Sequence, residues 1–580
     1  MKESAVDNAE KHDLVIRNAR IVDGSGRATF NGDVAVRDGL LSQVGGKASP
    51  GRREIDADGL LLTPGFVDIH THYDGQINWD PQLTPSTWHG VTTVVAGNCG
   101  VGFAPARPQA REWLIGMMEG IEDIPGDSLR AGIDWKWETF PEFMDVIGQG
   151  RYAVDVGLQI PHGALRAFVM GDRGIENVVA NAGELDAMCR VVQEGMRAGA
   201  LGLTGTRSIN HRSLAGKNAP GYGIPYDELV ALARAAASVG HGGVIGVNVD
   251  FDNVDDEVRD LRRLARECGL KVWTLLNQFP QAPDKWKHIL DAYSQAAKAG
   301  EALYAQVAGR PISYLLGLTS SRNPFWENPS YRAIAALPLA QRVARLKDPA
   351  FRRQLLTEQV HYSSVLGQMV AENFDRMFKM GSVPDYEPTP EQSIAAMAKR
   401  EGRDAREIAL DMMLERDGNE LIYMPLSNYV SGDASLVKHM LEHPQVVLGL
   451  GDAGAHASRI CDSSISTFML THWARDRTRG PRMALEQAVH LQTQATAAFY
   501  GLHDRGVLEA GKRADINLID LENLTLFAPE VVRDQPANAQ RLVQHTKGYV
   551  ATIVAGVPVM ENGVATGELP GRLIRSRARD

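Results

Sequence analysis

Two textures of hydrophobic patterning divide the chain. Near the start, within residues 13–62, short apolar runs such as Leu14-Val15-Ile16 and Ile21-Val22 are separated by turns at Gly24, Gly26, Gly45 and Gly46, the pattern of short strands in a small sheet. The same texture returns only at the far end, in residues 514–519 and 549–556, so the two ends are expected to meet in one small domain. Between them, short apolar runs at 66–72, 92–99, 154–162, 200–206, 244–249, 272–277, 303–307 and 446–452 alternate with longer segments at 226–239, 255–268, 283–299, 389–416 and 484–500. The longer segments carry apolar residues at three- and four-residue spacing and predict helices. Alternating strands and helices imply parallel βαβ units, and a strand count near eight favours a closed (β/α)8 TIM barrel over an open sheet.

This reading divides the chain into a small β domain from residues 13–63 and 506–572 and a barrel domain over 64–505. Residues 310–388 interrupt the alternation and read as an inserted lid or oligomer contact, and 421–426 could be a ninth strand. Residues 1–12 and 572–580 read as frayed tails.

At 580 residues the chain exceeds a single small core. With 44% hydrophobic and 23% charged residues it has the composition of a globular enzyme. A net charge of −10 argues against nucleic acid or an anionic membrane as partner. Four scattered cysteines fit a reducing compartment. The polar start lacks the apolar core of a secretory signal, and no apolar run is long enough to span a bilayer. A cytoplasmic homo-oligomer acting on a small molecule is expected.

The strongest chemical signal is Gly65-Phe66-Val67-Asp68-Ile69-His70-Thr71-His72. Strand residues two apart share a face, so His70 and His72 would project together at the carboxyl end of a barrel strand, where barrel active sites lie. An isolated H-x-H is more often a pair of hydrogen-bonded strand-end residues. Here it follows the Thr63-Pro64-Gly65 turn, ends an apolar run and opens the barrel, and two imidazoles so held form half a zinc site. Cys99, in Gly97-Asn98-Cys99-Gly100, ends the next strand between turn-forming residues, where a thiolate could reach the same metal; a lone cysteine is otherwise a small core residue. Asp452, in Gly451-Asp452-Ala453-Gly454-Ala455-His456, ends the last strand. It could merely cap a helix, but a closed barrel sets its last strand beside its first, facing His70 and His72. As a carboxylate beside a metal it is also the candidate general base and acid. His162, closing Gln159-Ile160-Pro161-His162, is a further catalytic candidate for steadying an oxyanion, with a structural strand-end role as the alternative. Arg207 and Arg459 are candidates for anchoring a substrate carboxylate, and Asn248 and His456 for other substrate contacts.

These residues resemble the amidohydrolase superfamily, and within it the D-aminoacylase (N-acyl-D-amino-acid deacylase) family, over nearly the whole chain. The resemblance rests on the motifs around His70-Thr71-His72, Gly97-Asn98-Cys99-Gly100 and Gly451-Asp452-Ala453-Gly454-Ala455-His456, and on Gly506-Val507-Leu508-Glu509-Ala510-Gly511-Lys512-Arg513-Ala514-Asp515. It implies a TIM barrel with a small β-sandwich, zinc as the usual metal, and a metal position at His70, His72 and Asp452, with Cys99 able to bridge to a second. That second position also needs a histidine from each of two middle strands, which here read Gly246-Val247-Asn248-Val249 and Leu275-Leu276-Asn277-Gln278. One zinc per subunit is therefore expected. The implied activity is hydrolysis of an N-acyl amino acid or related N-acyl compound. The alternatives are a cyclic amide, carbamate, lactone or xenobiotic amide, or a non-catalytic scaffold that has lost its metal.

Overall fold

The computed structural model describes residues 11–577. Eight parallel strands form the barrel: β1 (Phe66–Asp68), β2 (Val91–Ala96), β3 (Asp155–Leu158, continuing through Gln159 as Ile160–Pro161), β4 (Gly202–Thr206), β5 (Val244–Asn248), β6 (Lys271–Leu275), β7 (Leu303–Val307) and β8 (Val446–Leu448). Each pairs in parallel with the next; the lower half of β3 lies on β2 and its upper half on β4. The circle closes above the ends of β8 and β1, where Thr71 bridges Ala453 and Asp452 N–H donates to the His70 carbonyl at 2.9 Å. Because helices cover the outside, strand residues on both faces are buried and the strands read as unbroken apolar runs. Val67, Val95, Val244, Trp273 and Val447, from five strands, meet in one cluster that Phe499 and Tyr500 complete.

The helices follow the amphipathic periodicity, and their ends follow capping chemistry. The helix Val254–Cys268 starts at Asn253, whose side chain accepts from Asp256 N–H; it carries three acidic residues in its first turn and ends at Gly269 in the left-handed region. Two expected helices are each two. The segment 389–416 divides into Ile394–Glu401 and Ala405–Leu414, because Gly402 at φ +64° stops the first and Asp404 caps the second. Likewise 484–500 divides into Leu485–Leu491 and Gln494–Phe499, on either side of a non-helical Thr493.

The β domain is a nine-stranded sheet sewn from both ends of the chain. Leu61–Pro64 lies antiparallel to Ile516–Ile519, with Leu62 opposite Leu518, and joins His12–Ile21 on its other side. Leu14, Ile16, Val34 and Leu62 share a core with Ile516, Leu518 and Ile553. The last described residues are not frayed: Ile574 N–H donates to Val156 O at 2.7 Å and Ser576 N–H to Gly199 O at 2.9 Å. Leu573 and Ile574 give this segment an apolar surface to dock. The remaining expected tail residues, 1–10 and 578–580, lie outside the described ones.

The stretch that breaks the alternation has its own three-stranded antiparallel sheet, Ser313–Leu316, Phe378–Lys379 and Ile422–Pro425, and its own core including Leu316, Phe325, Tyr331, Leu355, Met413 and Ile422. The apolar run at 421–426 therefore belongs to this inserted unit and not to the barrel. No helix among the described residues is long and apolar enough to cross a membrane.

Candidate metal centre

The two histidines stand just past the end of β1. The loop after β8 holds this segment: His72 N–H donates to Ala453 O at 2.7 Å, beside the Asp452–His70 bond. Gly451 lets the two segments approach closely, since a Cβ there would lie 2.1 Å from Asp68 Oδ2 and displace that carboxylate. Cys99 at φ +54° and Asp452 at φ +44° both adopt the left-handed region, which costs a non-glycine residue conformational energy and is concentrated at functional sites.

Four side chains that the sequence singles out converge. His70 Nε2 lies 3.4 Å from Cys99 Sγ and 3.5 Å from Asp452 Oδ1, and His72 Nε2 lies 3.7 Å from that same oxygen. The ligand atoms of His70, His72 and Cys99 all fall within 4.8 Å of one another. His70 Nδ1–H donates to Gln306 Oε1 on β7 at 2.7 Å, which leaves Nε2 with its lone pair toward Cys99 and Asp452. Burial lowers the His70 imidazole to about 4 and keeps it neutral, the state a metal needs. Burial raises the Cys99 thiol to about 12, partly offset by His72. For His72, burial works downward, but Glu122, Asp452 and Cys99 outweigh it and hold the imidazole well above its usual value. For Asp452, burial works upward and the three histidines His72, His70 and His456 outweigh it, so the carboxylate stays ionised.

This set fits a divalent zinc ion. Neither nitrogen of the buried His72 has a hydrogen-bond partner, and such orphaned groups are rare in the absence of a ligand. The donors are two imidazoles, a thiol and a carboxylate, the types that zinc takes.

Three residues that sequence reasoning missed complete the surroundings. Glu122, the last residue of α1 (Arg111–Glu122), is 2% exposed. Its Oε2 stands 3.6 Å from His72 Nε2 and 3.5 Å from His456 Nε2. The available signal was an acid on the apolar face of a helix, in register with Leu114 and Met118. Gln306 was visible as a polar residue inside an apolar strand. His211 lies in the loop after β4; Asn248 Nδ2–H donates to its Nε2 at 3.1 Å, and its Nδ1–H donates to Thr206 Oγ1 at 2.9 Å. Burial lowers it to about 3.

The other candidates fall into different settings. His162 opens the helix His162–Met170, and its Nε2 is spent on Glu228 Oε1 at 2.7 Å, which Arg166 also binds. The ring lies beside Gly205 and Gly221, next to the loop after β4, and its buried Nδ1 has no hydrogen-bond partner. Asn248 holds His211, and the Asn277 carboxamide oxygen accepts from Ser427 and Asn428, at 3.3 Å each. The two middle-strand carboxamides thus serve loops. Arg459 is paired with Asp123 at 3.1 Å, and Arg207 lies 4.2 Å over the Tyr226 ring and donates to Ile224 O. The Arg207 Nε has no partner. His456 joins the site, 3.9 Å from Asp452 Oδ2.

An eight-stranded parallel barrel with imidazole, thiol and carboxylate donors gathered at the carboxyl ends of its strands is the framework of a metal-dependent hydrolase. The amidohydrolase family matches residues 53–560, and the chain belongs to that family. It is 26% identical to a D-aminoacylase of Alcaligenes xylosoxydans xylosoxydans, over 98% of this chain and 99% of that one. To an N-acyl-D-aspartate deacylase of the same organism it is 27% identical, over 98% and 97%. Among solved structures, an N-acyl-D-glutamate deacylase from Bordetella bronchiseptica, complexed with zinc and a phosphonate inhibitor, superposes with TM-score 0.62 at 24% identity, covering 98% of this chain and 100% of that one. A D-aminoacylase structure gives TM-score 0.63 at 21% identity, covering 97% and 100%.

Proposed function

We propose that this protein hydrolyses the amide bond of an N-acyl amino acid, using one catalytic zinc ion held by His70, His72, Cys99 and Asp452. The observation that carries this reading is the convergence of those four donors, 3.4 to 3.7 Å apart along the measured edges, around a buried His72 that has no hydrogen-bond partner. The substrate class is supported by full-length similarity to enzymes named for N-acyl-D-amino acids.

When bound, zinc supplies Lewis acidity toward the substrate carbonyl and toward water. The protein supplies the proton path. Asp452 turns Oδ1 to the two imidazoles and Oδ2 to His456, so Oδ2 is free to take a proton from the attacking water and return it to the leaving nitrogen. His456, half-buried between Asp452 and Glu122, orients that carboxylate. Arg207, with its unpartnered Nε, is the proposed anchor for a substrate carboxylate. The division into a β domain from 13–63 and 506–572 and a catalytic unit over 64–505 is part of the same proposal.

The test is hydrolysis by zinc-loaded protein of N-acyl amino acids of both hands, set against cyclic amides, carbamates and lactones. Turnover of the first group only is expected, with Arg207→Ala raising KM for acidic side chains more than for neutral ones. Turnover confined to the second group would overturn the substrate assignment.

A further inference from the structure

The geometry points to an acyl-group pocket beside the metal centre that ends on Asp462 and selects a short acyl group bearing an N–H or O–H donor over one that ends in a carboxylate. The inference rests on the N-acyl substrate proposed above and names the part of it that this pocket reads.

A cavity opens beside Asp452, walled by His456 and Asp462 in the loop after β8, by Ile124 just past α1, and by Leu542. Leu542 belongs to a hairpin, Glu530–Gln535 with Ala539–Val543, and its N–H donates to Ala457 O at 2.6 Å. The β domain thus closes one side of a space in the barrel. The cavity volume is about 30 Å³, room for two or three water-sized groups at ~10–15 Å³ each, so the group that enters is small.

Asp462 gives this cavity its chemistry. Its Oδ1 accepts from Arg310 Nε at 3.2 Å and Nη2 at 3.1 Å, and the Arg310 guanidinium is seated 4.1 Å over the Tyr386 ring. The Asp462 side chain is 3% exposed, yet its Oδ2 has no hydrogen-bond partner. A buried acceptor left bare is costly, and a donor arriving from the cavity removes that cost. A carboxylate arriving there meets two acids, Asp462 and Asp452, and finds no cation to pair with. Arg541, on the cavity wall, is spent on both oxygens of Asp534 and on Thr84. His456 faces Asp452 and Glu122.

The barrel sets which half of the substrate reaches this pocket. Arg207 stands just past β4 and Asp462 in the loop after β8, and in a closed ring of eight the fourth and eighth strands lie opposite each other. With Arg207 anchoring its carboxylate, the amino-acid half lies on one side of the metal centre and the acyl half turns toward Asp462.

The test compares kcat/KM of zinc-loaded, full-length protein for two isosteric pairs of acyl groups on one amino acid: N-glycolyl against N-propionyl, and N-malonamoyl against N-malonyl. Each rate is normalised to that compound's hydroxide-catalysed hydrolysis. The first member of each pair carries the donor, and the wild type should favour it by at least ~10-fold, the lower end for a hydrogen bond to a charged group. In Asp462→Asn, checked for unchanged zinc content and melting temperature, Arg310 keeps the amide oxygen and the amide nitrogen replaces Oδ2. An acceptor becomes a donor, so both ratios should fall to about one or below. Ala457→Leu, which fills the cavity from another wall, should slow the N-malonamoyl compound more than the N-formyl one. The wild-type ratios need no variant and decide alone if Asp462→Asn fails to fold. Wild-type ratios within about twofold of one for both pairs, or ratios unchanged in a folded Asp462→Asn, would overturn the pocket and leave the N-acyl assignment standing. Turnover of none of the four compounds would overturn that assignment, and the pocket with it.

Discussion

Replacing Gln306 by leucine isolates the contribution of one neutral hydrogen bond to metal capture. Gln306 reaches from β7 to accept from His70 Nδ1–H at 2.7 Å, with both side chains fully buried. Leucine fills a similar volume but accepts nothing, so the His70 N–H is left unpaired, at about 1–3 kcal/mol. It also releases the tautomer that keeps Nε2 available. Outer partners of zinc-bound histidines are worth about 10–100-fold in affinity, or roughly 1.4–2.8 kcal/mol, so the two routes agree. The assay is competition of metal-free protein with a chromophoric chelator for zinc, at constant pH and protein concentration. Gln306→Leu should weaken zinc binding by that factor, whereas Gln306→Glu, which keeps an acceptor and adds a negative charge, should bind at least as tightly as the wild type. Zinc affinity in Gln306→Leu within twofold of wild type, with the melting temperature preserved, would refute the claim that Gln306 presets His70.

Asp452→Asn should lower kcat by at least ~100-fold, the smaller end of general acid–base contributions; a fall under tenfold would remove Asp452 from proton transfer. Zinc uptake at pH 7 should release about two protons, one from the Cys99 thiol held at about 12 and one from the His72 imidazolium. Calorimetry in buffers of different ionisation heat reads this number, and Cys99→Ala should reduce it by about one; release near zero contradicts the assignment. His89 is buried between Thr467 Oγ1 and Gln544 O, and burial lowers it to about 3. Its unfolded imidazole titrates near 6.5, so between those values the unfolded chain binds more protons. The stability this group contributes is full above about 6.5 and declines as pH falls toward 3, by about 2 kcal/mol at pH 5. The drop in melting temperature from pH 7 to pH 5 should be shallower in His89→Gln; an equal drop would show that this imidazole does not set the acid sensitivity.

The part of the site legible in the sequence is the part that sits at strand ends. His70, His72, Cys99 and Asp452 each close an apolar run, and barrel closure alone brings first, second and last strands together, so local pattern and topology suffice. Glu122 needs more: its position depends on where the carboxyl end of α1 comes to rest, a long-range packing outcome that shows in the chain only as an acid out of place on an apolar stripe. The run at 421–426 was misleading for a related reason. Its apolar pattern is that of any buried strand, and only the partner, Ser313–Leu316 running antiparallel, assigns it to the insertion. Periodicity also continued across Gly402 and Thr493, where backbone conformation ends the helices.

The junction of Leu61–Pro64 with Ile516–Ile519 bears on how the polypeptide must be made. A ribosome delivers the first of these strands some 450 residues before its neighbour, and for that interval a fully buried apolar edge has no mate. Unpaired edges of this kind recruit other chains. Early termination anywhere ahead of residue 516 therefore leaves a sticky fragment, so expression yield should fall abruptly for truncations that stop short of that strand.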